Sequence, residues 1–174
     1  MSGDYRGEFY QKVDAKARVS IPAAFRRALE LEDPPSPEHT RPRIYMVYGG
    51  QYRNFVECYS KKGMDYETEI IMALDEDDED REVLEIEMIQ RSIVVELEPD
   101  GRIVLPPQVR QKIGLTAQDL AKGADAFFAG RGDRFQLYRY EGPEQSIAQP
   151  VVKDDKIDMR NRRANAKKKV KAAS

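Results

Sequence analysis

Arg18 and Arg102 are the side chains whose type and setting most invite chemistry. Each follows a carboxylate by four residues, Asp14 and Glu98 respectively. Each also opens an apolar-x-apolar-Pro run, Val19-Ser20-Ile21-Pro22 and Ile103-Val104-Leu105-Pro106. A guanidinium is a planar fork of donors that grips a phosphate or a guanine edge at two points at once. A carboxylate four residues earlier lies across a tight hairpin and can hold that fork in position. Lys16 adds a cation at the first turn, while Asp100 occupies the matching place in the second. Arg26, Arg27 and Arg110 could reach flanking phosphates, and Arg6 near the N-terminus is a further candidate. The competing reading of the same pairs is structural, each arginine closing an intramolecular salt bridge that pins its turn.

Other chemistry is poorly supported. The single histidine, His39, lies within Asp33–Pro42, where four prolines prevent helix and strand ladders, and is expected to be exposed and inert. With it goes any Ser/His/Asp arrangement. No Gly-x-x-x-x-Gly-Lys-Ser/Thr loop occurs. The lone Cys58 sits in a predicted strand as a small buried apolar residue and cannot support a disulfide framework or a Cys-rich zinc site. The carboxylates of 75–87 match no EF-hand spacing. The expectation is a binding protein, not an enzyme, with no cofactor, no metal and no small-molecule substrate.

Charge sets the next constraint. Charged residues make up 34% of the 174 positions, against about 25% in an ordinary globular domain. The 29 Lys+Arg and 31 Asp+Glu leave a net charge of −2, which excludes a uniformly basic nucleic-acid binder but not a locally basic one. Nine acids and one Arg fall between Asp75 and Glu87, whereas seven Lys or Arg and no acid follow from Arg160 onward. Blocks of like charge are commonly solvated or disordered. The acidic block is therefore expected on a solvent face and 143–174 as a basic flexible tail that attracts phosphates or aids solubility. No apolar run approaches a membrane span, and Met1–Gly7 is polar, so no membrane partner and a cytoplasmic location are expected.

The elements that position the two arginines come from an internal repeat at an offset of 84. Over 14–31 and 98–115, Arg18/Arg102, Pro22/Pro106, Arg26/Arg110 and Leu31/Leu115 are identical, and the apolar positions stay in phase. In each copy a strand (8–13; 92–97) turns into a second short strand (Arg18–Ile21; Arg102–Leu105). A proline then opens a short helix (Ala23–Leu31; Gln108–Gly114). Two further strands complete each copy, Arg43–Tyr48 with Asn54–Tyr59 and Asp125–Ala129 with Arg134–Tyr140. The second turn carries Pro99-Asp100-Gly101; the first has Ala15-Lys16-Ala17 and must be built without glycine. Tyr66–Leu74 and Glu79–Arg91 read as connecting helices. The expected fold is mainly β with short helices: two tandem β-β-α-β-β units, 8–60 and 92–140, joined by an acidic helical connector, 61–91. Two such units complete one pseudo-symmetric barrel, each covering the other's open edges.

The pattern Asp-x-x-x-Arg-apolar-x-apolar-Pro resembles the SpoVT/AbrB swapped-hairpin DNA-binding unit. Two copies opened by Tyr5-Arg6-Gly7-Glu8 resemble the MraZ family over about residues 5–140. Glu98 stands where the family pattern has Asp, and Ala17 where it usually has Gly; the proline-rich loop and the basic tail look like additions. The resemblance implies a sequence-specific regulator, most simply a repressor, of the bacterial division and cell wall gene cluster, its own operon included. It also implies double-stranded DNA with short direct repeats as the partner, a ring of identical subunits, and association with the nucleoid. The DNA-contacting set it suggests is Asp14, Lys16, Arg18, Arg26, Glu98, Arg102 and Arg110. The rival function is a protein-interaction or antitoxin-like oligomeric scaffold whose DNA binding is only non-specific; tandem copies and a basic, apolar-poor tail argue against the antitoxin.

Overall fold

Alternation organises the first strand: Phe9, Gln11 and Val13 turn inward while Glu8, Tyr10 and Lys12 face out. This is β1 (Glu8–Val13), and the computed structural model, which describes residues 3–142 and 159–174, extends the same logic through seven more strands. These are β2 (Arg18–Ser20), β3 (Arg43–Val47), β4 (Val56–Tyr59), β5 (Ser92–Glu96), β6 (Arg102–Val104), β7 (Ala124–Gly130) and β8 (Phe135–Arg139). All pair antiparallel in one sheet of order β5-β3-β4-β8-β7-β1-β2-β6. The outermost strands, β5 and β6, are consecutive in the chain and joined by one turn, so the sheet nearly closes into a barrel.

Hairpins from the two halves of the repeat alternate around this barrel. β1 and β2 sit between β7 and β6, and β3 and β4 between β5 and β8. Neither half can complete its hydrogen bonding without the other, which is how each protects the other's edges. The interior is a single cluster that includes Val13, Val19, Ile44, Met46, Val56, Cys58, Ile103, Phe128, Phe135 and Leu137. Cys58 is fully buried and its thiol is pushed well above the usual range by desolvation.

Two short helices plug the barrel. In α1 (Ala23–Glu32), Phe25, Ala28 and Leu29 are buried; in α4 (Pro107–Ile113), Val109 and Ile113 do the same. Spacings of three and four residues give each helix one apolar face. A further helix, α5 (Ala117–Lys122), follows α4 and begins with a capping box in which the Thr116 and Asp119 side chains each bond the other's backbone amide. α2 (Lys61–Met72) starts five residues earlier than its apolar pattern suggests, because the Ser60 hydroxyl accepts the Gly63 amide and caps it. α3 (Glu79–Leu84) continues into a π-helical segment, Glu85–Gln90.

Three expectations are corrected. The tail is helical over Met159–Ala173, here α6, and it packs on α2 and α3, whose acidic side chains pair with its cations. The acidic block is thus partly covered, with Asp80 only 5% exposed, and is not simply a solvent face. The rest of the expected tail, 143–158, lies outside the described residues. The proline-rich loop is held by Asp33, which is buried and accepts the Arg43 amide at 2.8 Å and its guanidinium at 3.0 and 3.1 Å. His39 is therefore not exposed: its Nε2 lies 3.0 Å from Asp33 Oδ1, and only 13% of the side chain reaches solvent.

Candidate functional site

The first hairpin is built around one carboxylate. Asp14 Oδ1 accepts the amides of Lys16 (3.0 Å) and Arg18 (2.8 Å), and Oδ2 accepts Arg18 Nε at 2.7 Å. The backbone closes the turn through Ala17 N–H to Asp14 C=O at 2.9 Å. Ala17 adopts φ +61°, a left-handed conformation that costs a residue with a β-carbon roughly 1–2 kcal/mol. The three hydrogen bonds that converge on the Asp14 carboxylate brace that conformation. This is how a turn without glycine is made. Donation by the Arg18 amide, foremost, holds the Asp14 carboxyl below the ordinary aspartate range.

The second hairpin reaches the same shape with different side chains. Gly101 takes φ +82° and closes the turn to Glu98 C=O at 2.9 Å. The expectation that Glu98 braces Arg102 is not met. Asp100 does so, its Oδ2 accepting Arg102 Nε at 2.7 Å and its Oδ1 the Arg102 amide at 3.1 Å. A carboxylate two residues away, inside the turn, reaches the guanidinium with less chain to order than the longer Glu98. The Arg102 side chain in turn holds the Asp100 carboxyl below its usual range.

The two turns lock together. β2 pairs with β6, so Ser20 lies opposite Arg102 and Arg18 opposite Val104. Beyond the strands, Ile21 N–H donates to Gly101 C=O at 2.9 Å and Leu105 N–H to Ala17 C=O at 2.8 Å, a reciprocal exchange that matches the repeat. Arg18 and Arg102 are thereby brought to one face: Asp14 Oδ2, already bonded to Arg18, lies 3.8 Å from Arg102 Nη1. That face is concave. A cavity of about 430 Å³ is lined by Lys12, Asp14, Arg18, Ser20, Arg102, Lys122 and Asp125, together with Val13, Gly123 and Ala124. Four cations meet two carboxylates there. Arg18 and Arg102 each keep about a third of the side chain exposed. Among the described residues, the Nη groups of Arg18 make no hydrogen bond to protein, which leaves the outer half of the fork open.

The remaining candidates are placed differently. Lys16 is exposed at the tip of the first turn, outside the cavity. Arg26 lies across the second turn, so close that a β-carbon on Gly101 would sit 1.7 Å from Arg26 Nη1. Arg110, the repeat partner of Arg26, has its Nε buried without a hydrogen-bond partner. Neither Arg26 nor Arg110 lines the cavity. Lys12 and Lys122 do, and sequence reasoning missed both. Lys12, on β1, precedes by two residues Asp14 at the strand's end, so strand periodicity already put them on one face; Lys122 arrives through α5. Lys12 lies 3.8 Å from Asp125 and is 93% exposed, so that pairing is weak and the cation stays available.

The described residues contain no group of three or more His, Cys, Asp or Glu that could hold a metal ion, and none of their helices is long and apolar enough to cross a membrane. No protein-family model matches the chain. Curated relatives do match along most of it. A protein of Cereibacter sphaeroides named transcriptional regulator MraZ is 48% identical over 161 residues, 91% of this chain and 95% of that one. A Ruegeria pomeroyi protein of the same name is 37% identical over 152 residues, 86% and 87% of the two chains. One from Rickettsia akari is 23% identical over 162 residues, 90% of this chain and 97% of its own. At this identity and coverage, and with the repeat and the interlocked hairpins in place, the chain belongs to the MraZ family of transcriptional regulators.

Proposed function

We propose that this chain regulates transcription by binding double-stranded DNA through the face shared by its two hairpins, and that it acts as a repressor by occupying a promoter. The observation that carries this reading is the junction at Asp14, which bonds Arg18 at 2.7 Å and stands 3.8 Å from Arg102. Two guanidinium forks are held side by side on a concave, locally cationic surface, by partners that leave their outer edges open. Bidentate arginine on a guanine edge reads sequence, and lysine on phosphate fixes position. Arg18 and Arg102 suit the first task, Lys12, Lys16 and Lys122 the second. Asp14, Asp100 and Glu98 shape the turns and Arg26 lies against the second of them, while Arg26 and Arg110 are the candidates for the flanking backbone.

The target, by family resemblance, is the division and cell wall gene cluster with its own operon, read as short direct repeats by a ring of identical subunits. Repetition explains how a chain of net charge −2 holds DNA. Several modest hairpin contacts on one assembly act at high effective concentration when the sites are repeated too. Such a protein works at the nucleoid and needs no catalytic group or cofactor. In transcription from the promoter upstream of its own gene, added protein is expected to lower the yield, and scrambling the repeats to restore it. Equal binding to repeated and scrambled DNA at moderate salt would contradict the proposal and favour the interaction-scaffold reading.

A further inference from the structure

The C-terminal helix α6 is held mostly by charge. Its apolar contribution is small: Met159 and Ala166 are buried and Val170 is partly so, against a patch that includes Met64, Ile71, Leu84 and Met88. Its ion pairs are many. Arg163 Nη2 lies 2.7 Å from Glu67, which Lys167 also approaches at 3.3 Å. Arg162 lies 3.0 Å from Asp80, and Lys169 bridges Asp78 at 2.8 Å and Asp80 at 2.9 Å. Arg163 stands over the Tyr59 ring and Lys167 over the Tyr66 ring, at 5.8 and 5.6 Å. Glu67 and Asp80, on α2 and α3, are nearly buried under these cations. Lys169 in particular holds the Asp78 carboxyl below its ordinary range.

Carboxylates spaced along a surface and met by the Arg and Lys of one helix reproduce the electrostatics of a phosphate backbone. We propose that the acidic face of α2 and α3 is a stand-in for DNA: it docks α6 in cis, and duplex phosphates compete for the same cations of that helix, without regard to sequence. In the docked state Arg162, Arg163, Lys167 and Lys169 of α6 are occupied by the protein's own acids. Displaced, the helix offers seven Lys and Arg to the backbone beside the hairpins. Tail affinity is thereby withheld until the local phosphate concentration is high. The proposal is independent of which sequence the hairpins read.

The chain contains no tryptophan, so Tyr66→Trp places a unique fluorophore under Lys167. Titration of the full chain with a duplex lacking the upstream sequence is expected to shift that emission, with the midpoint of binding measured separately, and high salt alone to reproduce the shift. Neutralising the acidic face by Glu67→Gln, Asp78→Asn and Asp80→Asn is expected to tighten binding to the same duplex about tenfold. It should also steepen the slope of log affinity against log salt by up to about 3.6, as four more phosphates are neutralised with no carboxylate recharged. Binding of the duplex with unmoved emission overturns the proposal, as does a neutralised face that binds no more tightly. If the neutralised chain does not fold, the Tyr66→Trp titration decides. A chain that still prefers its upstream DNA through Arg18 while the indole stays unmoved loses the latch and keeps the hairpin reading.

Discussion

Asp14 joins two tasks in one carboxylate, with Oδ1 shaping the turn through backbone amides and Oδ2 aiming Arg18. A group held below its ordinary pKa stabilises the fold above that range, and the stabilisation is lost as pH falls toward the folded value. Both turns carry such a group, Asp14 and Asp100. Between about pH 5 and about pH 3 the wild type is therefore expected to lose more stability in urea unfolding than Asp14→Asn, which has no charge to titrate there. In the second turn the critical residue is Gly101. Alanine there would combine φ +82° with a β-carbon 1.7 Å from Arg26. Gly101→Ala is expected to destabilise by about 1–3 kcal/mol, visible as a lower melting temperature. At Ala17 the positive φ is already braced by Asp14, so the two repeat positions respond differently to the same chemistry.

At the scale of elements, the outer face of β4 and β8 holds a polar knot. Glu57, 2% exposed, accepts Arg134 Nε at 2.7 Å and Gln136 Nε2 at 2.8 Å, with Arg53 Nη1 at 3.7 Å. Removing one partner of a buried ion pair leaves an uncompensated charge, at about 3–5 kcal/mol. Glu57→Ala is expected to lower the urea midpoint by a corresponding amount, whereas Glu57→Gln keeps the size and one acceptor and should cost less. None of this knot was legible in the sequence, because its members lie 77 and 79 residues apart and meet only through the pairing of β4 with β8. The strands and the two repeat helices were legible, since alternation, the Pro22 and Pro106 starts and the repeat all pointed one way. α5 was missed although Thr116-x-x-Asp119 is a capping signature, because six residues show too little periodicity. The tail helix was missed for a different reason. Its composition has little to bury on its own, and only α2 and α3 supply the charges that order it. In the site, Asp14–Arg18 was readable from spacing, while Asp100 displaced Glu98 through turn geometry that spacing does not encode.

For the whole molecule, the repeat does more than double a motif. By alternating hairpins around one barrel it places two guanidinium forks within reach of the same carboxylate, a geometry that one unit could not make. A net charge of −2 then ceases to be an obstacle, since nine of the 31 acids fall in 75–87, on and around α3, and Glu67, Asp78 and Asp80 are paired by α6. The hairpin face, with Lys12, Arg18, Arg102 and Lys122, remains cationic.

The most direct test of this account is equilibrium binding of the full chain to the DNA upstream of its own gene across a salt series, wild type against Arg18→Ala. If the hairpin face reads DNA, the substitution should weaken binding by about 1–3 kcal/mol, roughly 5- to 150-fold, if Arg18 holds a guanine edge. If it holds a phosphate instead, the salt slope should fall by about 0.9 for each phosphate no longer neutralised. An Arg18→Ala protein that folds normally and matches the wild type in affinity, preference and slope would contradict it, and would return the Asp14–Arg18 pair to a purely structural role.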